Sequence, residues 1–109
     1  MKIKYFLPLL LTFSFITFLQ AKSDVDCLIL EDENSIICKF THDRVSYNKI
    51  INVQWIEPDN TITRKREMII PSNHGSIYDY RYKQGRTKGI WTFKVTDDDE
   101  EYTTNFTIE

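Results

Sequence analysis

Apolar and polar residues alternate along much of the chain, with the period of two that is typical of strands burying one face. In residues 50–56 the alternation places Ile51, Val53 and Trp55 on one side. Two runs near the C-terminus, residues 90–95 and 102–108, alternate in the same way. Turn-forming segments rich in Pro, Asn, Asp and Gly separate the runs. The pattern predicts an all-β fold of about seven short strands.

The first two apolar runs of this β region predict a hairpin with a disulfide. Residues 25–30 and 35–40 flank the polar segment 31–34, and symmetric folding places Cys27 opposite Cys38. Directly opposed residues have Cβ atoms about 4.5–5.5 Å apart, which is close to what a disulfide spans. We therefore predict a Cys27–Cys38 bridge. The same register pairs Ile29 with Ile36 and Val25 with Phe40.

The C-terminal runs predict a second hairpin, with an acidic turn at residues 96–101. Its symmetric register pairs Val95 with Tyr102 and Trp91 with Phe106. The five consecutive carboxylates of residues 97–101 resemble a calcium site, but neighbouring side chains point in different directions. The alternating acidic loop that wraps an ion is also absent. A solvated turn without metal is the favoured interpretation.

The inward positions of these strands predict the core. Its members are Val25, Ile29, Ile36, Phe40, Ile51, Val53, Trp55, Trp91, Phe93, Val95, Phe106 and Ile108. Residues 61–70 are also β-prone, but Arg64, Lys65 and Arg66 lie at their centre. Charges in the middle of a strand discourage edge-to-edge aggregation, so this segment is predicted to be an edge or solvent-facing strand.

The N-terminus has the layout of a secretory signal peptide. Lys2 and Lys4 precede an apolar run over residues 6–19, and Ala21 is a small residue at a suitable cleavage point. A membrane-spanning helix needs about 20 apolar residues, so a retained anchor is the less favoured alternative. We predict cleavage after Ala21 of a signal helix spanning residues 1–21, leaving a single domain, residues 22–109. An even cysteine pair suits the periplasm or the cell exterior.

Composition and motifs argue against catalysis and nucleic-acid binding. The formal net charge is −2, and loss of Lys2 and Lys4 makes the processed chain more acidic. His42 and His74 are the only histidines. No nucleophile elbow, zinc-protease motif, P-loop or dinucleotide fingerprint occurs. The sequence therefore predicts a non-enzyme without cofactor or metal.

Four segments together resemble a pattern of bacterial exported immunoglobulin-like sandwich domains. They are Trp55-Ile-Glu-Pro-Asp-Asn60, Tyr80-Arg-Tyr82, Gly89-Ile-Trp-Thr-Phe-Lys-Val95 and Phe106-Thr-Ile108. The resemblance covers about residues 52–108 and implies an antiparallel sandwich that serves as an accessory or interaction domain. Two features depart from the pattern: the hairpin disulfide is not a sheet-to-sheet bridge, and Asn60 stands where Gly is usual.

One surface is a candidate for binding. Tyr78, Tyr80 and Tyr82 fall on one side of a regular strand, with cations nearby. Aromatic rows beside cations are typical of contact surfaces. The favoured interpretation is that the tyrosines pack on the rim of the core while the cations balance acids, and a binding surface is the alternative. The residues chosen for the binding surface are Tyr80, Arg81, Tyr82 and Arg86.

The predicted function is non-catalytic binding of another exported or envelope protein, through a sheet edge or this tyrosine–arginine surface. The alternative is a small inhibitor or immunity-type protein that blocks an enzyme through the polar loop 71–76. A glycan- or ligand-binding module is the third interpretation. The sequence does not define the partner or the oligomeric state.

Overall fold

The computed structural model describes residues 23–109, and the predicted signal peptide, residues 1–21, lies outside them. Seven strands follow one another along the described chain: β1 Asp24–Leu30, β2 Ser35–Thr41, β3 Lys49–Ile56, β4 Ile62–Ile70, β5 Ser76–Tyr82, β6 Gly89–Asp97 and β7 Glu100–Ile108. A short 3-10 turn at Glu31–Glu33 connects β1 to β2. Within residues 23–109 no helix is long and apolar enough to cross a membrane.

The strands form two antiparallel sheets. One has the order β1-β2-β5 and the other the order β4-β3-β6-β7. The predicted all-β sandwich of about seven strands is therefore confirmed. β4 lies at an edge of the four-stranded sheet, as its charged centre predicted.

The predicted registers of both hairpins are confirmed. Cys27 pairs with Cys38 across β1 and β2 and is bonded to it. Trp91 pairs with Phe106 across β6 and β7. The other predicted pairs also occur: Ile29 with Ile36, Val25 with Phe40, and Val95 with Tyr102.

The acidic run forms a tighter turn than predicted. β6 continues to Asp97 and β7 begins at Glu100, so only Asp98 and Asp99 lie between the strands. Asp98 has a φ of 56°, a conformation that Asp adopts more readily than most residues. Lys49 Nζ lies 2.9 Å from Asp97 Oδ1. The described part of the chain contains no group of three or more His, Cys, Asp or Glu side chains that could hold a metal ion.

The core lies between the sheets and contains the predicted residues. Ten of the twelve are buried, while Val25 and Ile29 are partly buried against them. Trp55 is fully buried and packs edge-on against Phe93, with ring centroids 5.3 Å apart. The prediction omitted Cys38 and Ile70, which are also buried in the core.

Pro58, in the turn after β3, and Gly89, at the start of β6, are in close contact. A Cβ atom on Gly89 would lie 2.9 Å from Pro58 Cγ, so the turn after β3 packs directly on the start of β6. Gly89 also has a φ of 129°, which favours glycine. In the same turn Asn60 has a φ of 75° and so adopts the positive φ usual for Gly.

Candidate functional site

Strand β5 presents different chemistry on its two faces because its residues alternate. Tyr78, Tyr80 and Tyr82 point outward and are 55%, 56% and 60% exposed, whereas Asp79 and Arg81 are buried on the inner face. The prediction that the tyrosines share one side is confirmed. The interpretation that the tyrosines pack on the rim of the core is wrong, since each of them is more than half exposed.

Asp79 connects the two sheets on the side of the sandwich where β4 and β5 are the edges. β1 contacts β7 along the opposite side. The register places Arg64 opposite Trp55 in β3, so the arginine shares the inward face of its strand. Asp79 Oδ1 accepts hydrogen bonds from Nη1 of Arg64 at 3.1 Å and of Arg66 at 2.9 Å. Charged and polar side chains therefore bridge these two edges.

Arg81 lies under this network and is only 8% exposed. Its Nη1 donates to Thr63 Oγ1 at 3.1 Å, and its guanidinium lies 5.3 Å from the centre of the Trp55 ring. Its Nε is buried and has no hydrogen-bond partner among residues 23–109. Burial, followed by repulsion from Arg86 and Arg64, lowers the pKa of Arg81, while Asp79 and Glu57 oppose this shift.

These groups line an open cleft of about 420 Å³. We call it the arginine cleft, and its members are Arg64, Arg66, Met68, Asp79, Arg81 and Arg86. The three tyrosines form its outer margin. Its described lining thus holds four guanidinium groups and a single carboxylate. Of the residues chosen from the sequence, Arg81 and Arg86 belong to this cleft, whereas Tyr80 and Tyr82 face outward beside it.

The outer face of the three-stranded sheet carries an aromatic and aliphatic surface. We call it the tyrosine face, formed by Tyr78, Tyr80, Tyr82, Ile37 and Leu28. Ile37 pairs with both Tyr80 and Leu28, so it lies at the centre. A shallow groove of about 440 Å³ runs along Tyr80 and Tyr82. Exposed apolar contacts of this kind are suited to burial against a partner.

The free edge of β5 is covered by arginine side chains. Arg64 Nη1 donates to the carbonyl oxygen of Tyr80 at 3.5 Å. Arg86 Nε donates to the carbonyl oxygen of Tyr82 at 3.0 Å. A partner strand adding here would have to displace both side chains. The structure therefore favours contact through side chains over strand addition at β5.

The two histidines and the loop 71–76 lie away from the arginine cleft. His42 directly follows β2, is buried and stacks on Phe40 with ring centroids 5.8 Å apart. His74 is exposed. Ser72 and Asn73 donate backbone hydrogen bonds to the segment 42–48 at 2.9 and 2.6 Å. The loop proposed for an inhibitor is thus fastened to a neighbouring segment.

Comparison with known proteins provides no family. No protein-family model matches the chain, and no curated protein matches it. Among solved structures, a selenomethionine-labelled β-glucosidase from Kluyveromyces marxianus is similar over 82% of this chain, with a TM-score of 0.48 and 9% identity. The chain spans 14% of the length of that protein. Similarity at this level carries no information about activity.

Proposed function

We propose that the chain is a small exported, non-catalytic binding domain that contacts another protein through the tyrosine face. The observation that carries this proposal is the exposure of Tyr78, Tyr80 and Tyr82 on one strand, each above one half. Tyrosine is enriched at interface hot spots because it offers a large contact area and a polar hydroxyl. Few rotatable bonds keep the entropy cost of immobilising it low.

The sheet beneath the tyrosines supports this role. β5 pairs with β2 along its whole length, and the Cys27–Cys38 bond fixes β2 to β1. Rigid strands position contact side chains better than loops do. The disulfide also supports function in an oxidising compartment, which fits the predicted export to the periplasm or the exterior.

The architecture also supports the resemblance to immunoglobulin-like domains. Two antiparallel sheets with seven strands are common to that class, whose members include many interaction domains. Here the fourth strand, β4, pairs with the third strand, β3, in one sheet. In the antibody constant arrangement the third and fourth strands lie in different sheets.

The experiment is a crosslinking capture from the envelope and secreted fractions of the host, using the exported, oxidised chain as bait. The double variant Tyr80→Ala/Tyr82→Ala removes two of the three tyrosines of the tyrosine face. Tyr47→Ala is the matched control, because Tyr47 is 57% exposed but lies outside β5. We expect one dominant partner that the double variant loses and the control retains. Equal capture by both variants would contradict the proposal.

A further inference from the structure

We propose that the arginine cleft binds the carboxylates of an acidic, extended segment of the partner protein. This inference rests on the proposed function, since it names the chemistry of that partner at the margin of the tyrosine face. The cleft and the face share strand β5, so one ligand segment can contact both.

The charge in the cleft is unbalanced. Asp79 neutralises one of the four guanidinium groups, and its Oδ2 is already bonded to Trp55 Nε1 at 2.8 Å. Both Arg64 and Arg66 contact the same oxygen of Asp79. Arginines that only protected a strand edge would keep their guanidinium groups in water. Here the positive charge extends inward to Arg81.

Arg81 shows that the described residues do not fully compensate this charge. It is more than nine-tenths buried, and its Nε finds no acceptor among residues 23–109. A buried cation is costly unless it is paired. The negative charge of an anion bound in the cleft would stabilise the Arg81 guanidinium electrostatically. Arg81 would keep its hydrogen bond to Thr63.

The arrangement of the arginines suits an extended peptide. Arg64 and Arg66 occupy alternate positions on β4 and meet at Asp79, so both belong to one face of the strand. An extended segment with carboxylates at alternate positions likewise presents them on one face. Each guanidinium offers five donors, and the described hydrogen bonds of these two arginines use only Nη1. The remaining donors can bind carboxylates in the forked geometry that arginine favours.

The extent of the cleft favours a peptide over a long anionic polymer. Nucleic acids and sulfated polysaccharides are bound by extended basic surfaces. The basic groups here are confined to a cleft of about 420 Å³, and the formal net charge of the chain is −2. The adjoining tyrosines also offer apolar contacts to side chains between the acids.

The test uses a capped pentapeptide with glutamate at alternate positions and threonine between them, titrated into the exported, oxidised chain by calorimetry and NMR. We expect saturable binding, with shifts on β4 and β5, that disappears when glutamine replaces glutamate. Arg66→Gln should weaken binding about tenfold, as for loss of a hydrogen bond to a charged group. Lys65→Gln removes an equal charge from the outer face of the same strand and should change affinity less than twofold.

A second variant distinguishes loss of peptide binding from loss of the fold. Arg86→Gln leaves Asp79 and its partners intact, because Arg86 bonds to the Tyr82 carbonyl, and it should also weaken peptide binding. Equal affinities for Arg66→Gln, Arg86→Gln and Lys65→Gln would overturn the proposal. Binding of a heparin-derived oligosaccharide or inorganic sulfate without binding of the peptide would also overturn it. Partner capture that depends on Tyr80 and Tyr82 would still support the proposed function in either case.

Discussion

The indole Nε1 of Trp55 donates a 2.8 Å hydrogen bond to Oδ2 of Asp79, and this bond joins the two sheets of the sandwich. The side chain of Asp79 is 3% exposed, and Trp55 is fully buried. The second oxygen of the carboxylate holds Arg64 and Arg66. One aspartate therefore both joins the sheets and organises the arginine cleft.

Asp79→Ala should lower the free energy of unfolding by about 3 kcal/mol, because it leaves the buried indole donor without an acceptor and two arginines without a counter-charge. The value is at the low end for a broken buried ion pair, since Arg64 and Arg66 are one-third to one-half exposed. Urea denaturation measures the change. Asp26→Ala, at an exposed position on β1, is the control and should be close to neutral. A similar loss in both variants would show that the network contributes nothing specific.

Gly89→Ala should destabilise the domain more than Gly85→Ala. Both glycines have positive φ, which costs an alanine about 1 kcal/mol. Only at Gly89 does the added Cβ also meet a neighbour, Pro58 Cγ at 2.9 Å, whereas nothing lies within 4 Å at Gly85. Thermal denaturation of the two variants compares the positions directly. If the midpoints of both variants fall equally, the contact with Pro58 is unimportant.

Reduction of the Cys27–Cys38 bond should destabilise the domain by about 3 kcal/mol, as expected for closing so short a loop. The sequence separation of the two cysteines is 11. For a domain of this size the loss corresponds to a fall in the thermal midpoint of roughly 12–24 °C. The double variant Cys27→Ser/Cys38→Ser should lose at least as much stability and no longer respond to reductant. An unchanged midpoint under reductant would disprove a stabilising bridge.

Asp59 should titrate below its ordinary pKa of 3.8. Hydrogen bonds from the Thr61 hydroxyl and then from the Thr61 backbone N–H stabilise the charged carboxylate, which lowers its pKa. The corresponding stabilisation of the turn is complete above pH 3.8 and is lost as the pH falls through the folded-state pKa. NMR titration of the Asp59 carboxyl measures the value.

Thr61→Val removes the hydroxyl and should move the pKa of Asp59 back toward 3.8. A carboxyl that titrates identically in Thr61→Val and in the native chain would exclude the hydroxyl as a cause. Asp59→Asn should lack this contribution to the pH dependence of stability.

Local pairing made much of the fold predictable from the sequence. Symmetric hairpins around polar turns determine which residues face each other, and this was sufficient for the Cys27–Cys38 bond. The alternation of β5 likewise predicted that Tyr80 and Tyr82 share a side. Alternation alone does not determine which side faces inward, and hydrophobicity favours burying aromatic rings over charges.

The structure has the opposite arrangement because Asp79 pairs with Arg64 and Arg66 across the two sheets. Asp79 meets Arg64 and Arg66 only when β4 and β5 form the same side of the sandwich, a long-range relation that no local pattern contains. A trace of it exists in the sequence. On β5 the charged residues Asp79 and Arg81 alternate with tyrosines, which indicates one charged face, whereas residues 64–67 of β4 are all charged and do not distinguish its faces.

The position of the disulfide has a consequence for the order of folding. It closes a loop within the first hairpin, and chain segments of this length meet in about 10–100 ns. β5 must pair with β2 across the whole of β3 and β4, and such non-local contacts form more slowly. The two thiols therefore meet before β5 arrives. The strand that carries the tyrosines then joins an edge whose register has already been set locally.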